Sequence, residues 1–151
     1  MALLIENYLG KRRTAQLERS LLRELMEVPE EERFQFIQQV LSADIRLGLR
    51  LANVSLRKRE YFRWMLDRAL ITADASRIKL WLGCVIPRLG MSQVVSILTE
   101  RMPDQPEAVR KAAYWLPKFS RKEDIRGLTA LHKFLATLAI GTQKPGEPRT
   151  D

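Results

Sequence analysis

The chain has 151 residues, 46% hydrophobic and 29% charged, with a formal net charge of +8. These proportions exclude a low-complexity or collagen-like chain, and a length of this order buries about two-thirds of the unfolded surface around one core. Cys84 is the only cysteine, which excludes an intrachain disulfide, and the opening MALLIENYLGKRR lacks an export pattern, so the expected compartment is the cytoplasm.

In chain order, a first helix is predicted over Leu3 to Glu27, with Gly10 a place where it can break and Thr14 a candidate cap for a second piece. Its apolar stripe is Leu17, Leu21, Leu22, Leu25 and Met26. Pro29 marks a restart, and Glu30, Glu31 and Glu32 follow it in a first turn, where the helix dipole favours negative charge. Phe34, Ile37, Val40 and Leu41 form that helix's core face. Ser42 to Asp44 leaves open whether the helix is interrupted. Beyond it, Leu47, Leu49 and Leu51 alternate as in a strand, but a lone strand would have no partner, so the piece reads as helix with Gly48 at a close contact.

Ser55 is expected to open the next helix, through about Ile71, with Phe62, Met65, Leu66 and Ala69 inward and Arg57, Lys58, Arg59, Arg63 and Asp67 toward water. This is the densest basic cluster. Arginines interleaved with Tyr61, Phe62 and Trp64 suit a phosphate-and-base surface, although aromatics at these spacings also suit a core. Asp74 is an N-cap for a helix over Ala75 to Leu89, with stripe Ile78, Leu82, Val85, Ile86 and Leu89, and Gly90 ends it. A helix over Ser92 to Met102 comes next.

Asp104 to Ser120 reads as a complete helix: Pro106 and Glu107 suit its first turn, Val109, Ala112, Ala113 and Leu116 share one face, and Pro117 bends or stops its last turn. Ser120 and Glu123 form the S-x-x-E capping box before a last helix over Asp124 to Ile140, whose face of Ile125, Leu128, Leu131, Leu135 and Leu138 should be deeply buried. Pro87 set against Pro117, thirty residues on, also aligns Gly83 with Ala113, Ile86 with Leu116 and Leu98 with Leu128. Repetition of a helix pair at this period marks a solenoid, in which each pair buries its face only by stacking on the next.

Residues 1–44 carry six basic and eight acidic side chains, net −2, whereas residues 45–133 carry eighteen and eight, net +10. An anionic partner is a consequence to test. No stretch is apolar enough to span a membrane, since the longest, around Ile78 to Leu98, contains Lys79 and Arg88. His132 is the only histidine and adjoins a leucine face; Cys84 lies in a hydrophobic helix; no Ser/His/Asp set, glycine-rich phosphate loop or Cys/His metal spacing occurs. No catalytic residue, cofactor or metal is therefore expected.

Asp104, Val109, Arg110, Ala112, Ala113 and Leu116, echoed by Asp74, Ile78 and Lys79, resemble the HEAT and armadillo-type helical repeats over residues 74–140. That resemblance implies a curved stack serving as a binding surface or scaffold, and some relatives of this architecture bind or repair DNA. The expected fold is all-α, a right-handed stack of antiparallel helix pairs of α-solenoid type with about six to eight helices. One helical domain spans 1–140, with N-terminal helices over 1–73 and two helix-pair repeats over 74–140, followed by a flexible tail over 141–151. The expected function is a non-catalytic interaction module for a protein partner. The alternative is nucleic-acid binding through Arg57, Lys58, Arg59 and Arg63, with Lys118, Arg121 and Lys122.

Overall fold

A computed structural model describes residues 15–72 and 74–141, and every described element is helical. The expectations on residues 1–14, including the Gly10 break and the Thr14 cap, and on the tail beyond Gly141 lie outside the described residues. Eight α-helices are described: α1 (Ala15–Glu27), α2 (Glu30–Ala43), α3 (Ile45–Ser55), α4 (Arg59–Thr72), α5 (Ala75–Leu89), α6 (Met91–Arg101), α7 (Pro106–Trp115) and α8 (Ile125–Gly141), with a 3-10 turn over Leu116–Phe119. The chain divides into two compact units, residues 1–61 and 62–151, with the division inside α4.

In the first unit α2 packs on α3, and α1 packs on both. Leu21, Leu25, Ile37, Val40, Leu51 and Leu56 are buried between them, each worth about 1.5–3 kcal/mol of transfer from water. Asp44 interrupts the run at the point that the pattern leaves open: it accepts from the Leu47 amide at 3.2 Å and so caps α3. The alternating leucines of α3 are helical. Gly48 is a true close contact, since a Cβ there would lie 2.6 Å from Leu41 Cδ2 and 3.1 Å from its Cα. Two inward assignments are corrected. Met26 is 48% exposed, and the buried ring of α2 is Phe36 rather than Phe34, which is half-buried and stacks on Tyr61 at 4.2 Å.

Ser55 does not open a helix. It closes α3, its hydroxyl donating to the Leu51 carbonyl at 2.6 Å, and Leu56 is already extended at φ −107° and ψ 143°. Ser55 sits in the last turn of α3, four residues before the next helix begins, so its hydroxyl turns back to its own helix. Residues 56–58 are therefore a turn, and α4 starts at Arg59.

In the second unit α5 packs on α6 and α7, and α6 on α7 and α8. Asp74 caps α5 through the Arg77 amide at 2.9 Å, and Gly90 ends it at φ +85°, a conformation that favours glycine. As its proline suggests, α7 tightens into the 3-10 turn around Pro117. The capping box is corrected: Ser120 Oγ donates back to the Pro117 carbonyl, and Asp124 accepts from the Gly127 amide at 2.9 Å. The burial of α8 is also corrected. Leu131 and Phe134 are buried, Leu128, Leu135 and Leu138 are half-buried, and Ile125 is 75% exposed.

Candidate functional site

The seven cations singled out from sequence fall in both units. Arg57, Lys58 and Arg59 belong to the first; Arg63, Lys118, Arg121 and Lys122 belong to the second, and all are exposed.

Arg57 and Lys58 occupy the turn between α3 and α4, and their amides both donate to Glu30 Oε1, at 2.7 and 2.9 Å. Burial alone would raise the Glu30 carboxyl; those two amides, with the charges of Lys58 and Arg33, outweigh it and hold the group below its ordinary value. The first-turn position of Glu30 suits its own helix dipole. The side chain also pins a turn 27 residues away in the chain. The Lys58 ammonium lies 5.9 Å from the Tyr61 ring, which is buried. Phe62 is buried as well, with the Arg88 guanidinium 5.6 Å from its ring. The interleaved aromatics Tyr61 and Phe62 thus serve packing, and neither presents a free ring to a base.

A cation–aromatic cluster does form in the second unit, around a residue that carries no signal of its own in the sequence. Trp115, the last residue of α7, donates from Nε1 to the Ala75 carbonyl in the first turn of α5 at 2.8 Å, which fixes the indole. Lys79 of α5 places its ammonium 5.1 Å from that ring, and Lys118 of the 3-10 turn places its own 4.6 Å away. Tyr114 meets the same ring edge-on, at 5.0 Å and 86° between planes, and is 74% exposed. Asp74, five residues before Lys79, is occupied by the Ser76 hydroxyl and the Arg77 amide; the amide and hydroxyl bonds hold it below its ordinary value. Of this cluster the sequence singles out only Lys118 as a binding cation, because the hydrogen bond that brings Trp115 to α5, and so to Lys79, joins residues 40 positions apart.

The second unit also carries an open groove of about 600 Å³ lined by Leu70, Ile71, Gln105, Pro106, Ala108 and Lys111, with Asp104 and Glu107 at its acidic side. Ile71 is 64% exposed there, and Gln105 Oε1 is buried without a donor. Asp67, expected in water, is half-buried and takes a two-pronged contact from Arg101 at 2.8 and 3.2 Å.

Cys84 and His132 both lie among the described residues. No cluster of three or more His, Cys, Asp and Glu could hold a metal there, and no described helix is long and apolar enough to cross a membrane. His132 is exposed, not set in an interface. The Cys84 thiol is buried and pushed up to about 11 by burial, which Arg88 offsets only in part. No family model matches the chain. Nor does any curated protein or solved structure match it.

Proposed function

We propose that the chain is a non-catalytic, cytoplasmic interaction module whose helices α5 to α8 form two successive turns of a right-handed HEAT- or armadillo-like stack, and that it binds a protein partner. The packing of α5 on α7 and α6 on α8 supports the stack, because equivalent helices of consecutive pairs lie against each other in such repeats. The groove between the end of α4 and the start of α7 carries the binding role. Leu70 and Ile71 offer an apolar seat beside Asp104 and Glu107, which suits a partner segment bringing one aliphatic and one basic side chain. Ile71→Asp and Glu107→Lys alter that surface without entering the core. Cross-linked copurification should recover a partner with the wild-type chain and lose at least 10-fold of it with either variant. Equal recovery with the variants would dismiss the groove, and no partner with folded wild-type protein would dismiss protein binding.

A second reading, nucleic-acid binding, is favoured by one observation: Lys79 and Lys118 flank Trp115 beside exposed Tyr114. It predicts retention of the whole chain on single-stranded nucleic acid at low salt, weakening steeply as salt rises. Absence of retention at low salt would end it.

A further inference from the structure

Two ammonium groups lie against one indole, and the ring offsets only part of their charge. Neither Lys79 nor Lys118 makes an ion pair among the described residues, and Asp74, five residues before Lys79, is turned to its own helix cap. The hydrogen bond from Trp115 to Ala75 ties the ring to α5, so both lysines are mounted on a fixed support. An anion held by both ammoniums would offset that charge and gain charge-assisted hydrogen bonds. Lysine ammoniums are compact point charges with rotatable donors, which suits a tetrahedral phosphate.

Beside this pair lies Tyr114, whose edge-to-face contact with Trp115 holds it while most of its surface stays in water. Trp115, with both cations close to its ring, is committed to them. Tyr114 is the ring left to a base. A phosphate pair of donors beside an exposed aromatic is the arrangement by which single strands are held without sequence preference, backbone on cations and base on ring. We propose that Lys79, Lys118 and Tyr114 form a binding site for single-stranded nucleic acid, a phosphate between the two lysines and an unpaired base on the tyrosine. The site rests on the nucleic-acid reading and gives it a location on α5, the end of α7 and the 3-10 turn.

The test is fluorescence anisotropy of a labelled single-stranded oligonucleotide with the full chain over a salt series. Lys79→Glu with Lys118→Glu should weaken binding by more than 10-fold and reduce the salt slope by about one counterion, the share of the one phosphate they hold. Tyr114→Ala should weaken it by roughly 5- to 100-fold with the slope unchanged, a separation that loss of folding would not give. Lys79→Gln with Lys118→Gln, milder at an exposed surface, should change affinity in the same direction, and Lys58→Glu with Arg59→Glu should leave affinity within about twofold. Wild-type binding that none of the cluster variants alters would overturn the site and leave the reading standing; no wild-type binding would overturn both. Equal affinity for a duplex would remove the role of Tyr114. Binding to anionic phospholipid vesicles or to a phosphopeptide, dependent on the same lysines and without oligonucleotide binding, would replace the proposal.

Discussion

Arg33 serves the ends of two helices with one guanidinium. Its Nε donates to the carbonyls of Leu25 and Val28, both at 2.8 Å, and its Nη2 to Met26 at 3.3 Å, all where α1 runs out; its Nη1 reaches the Ser55 carbonyl, the last of α3, at 3.1 Å. Carbonyls at helix ends lack intrahelical donors, and a cation there also meets the negative end of the dipole. Lysine has the charge without the fork. Arg33→Lys should therefore lower unfolding free energy by about 1–3 kcal/mol, read by urea titration, and a loss no greater than at Arg23, an exposed residue of α1, would refute the bridging role. Cys84 gives a pH-dependent outcome. Its ordinary value is 9.0, and in the folded chain it is pushed up to about 11, so between those values the folded state keeps a proton that the unfolded state has lost. The contribution is level below about pH 9 and falls as pH rises toward 11, by roughly 2–3 kcal/mol when complete. Cys84→Ala should show a flatter alkaline limb in stability–pH curves, whatever its stability at neutral pH.

At the scale of elements, α8 shows how a cap and a packing contact depend on one position. A Cβ on Gly127 would strike the Asp124 carboxylate that caps the helix, and would lie 3.0 Å from Met91 Cβ on α6. Asp124→Ala should cost about 1 kcal/mol, while Ser120→Ala should stay within about 0.5 kcal/mol, because Ser120 bonds back to Pro117 instead of capping forward. The reverse order in thermal melts would restore the capping box. The turn over residues 56–58 is a similar case. Its geometry comes from Glu30 and Arg33 on α2, which hold its amides and the carbonyl before it. The residues from Ser55 to Glu60 could not disclose this by themselves, and so Arg57 and Lys58 lie between helices instead of on a helix face.

For the whole molecule, charge decides behaviour more than ion pairing does. The pairs Arg50–Glu18, Arg77–Asp74 and Arg101–Asp67 are part-exposed to exposed, and solvent screening leaves such pairs with little net effect. Residues 45–133 still carry +10. Added sodium chloride should raise the melting temperature by a few degrees through screening of that excess; a fall would mean the pairs outweigh the repulsion. The sequence by itself determined the all-helical class, the span of α5, its Asp74 cap and Gly90 stop, the tight turn at Pro117 and the close contact at Gly48, because periodicity, capping and missing Cβ atoms act within a few residues. Only the tertiary structure decided which apolar faces found a neighbour, leaving Met26 and Ile125 in water, and which cations met an aromatic ring, bringing Lys79 and Lys118 to Trp115. A pattern along the chain states what a face would gain by burial. Whether another segment arrives to cover it depends on packing between residues tens of positions apart, which local chemistry does not encode.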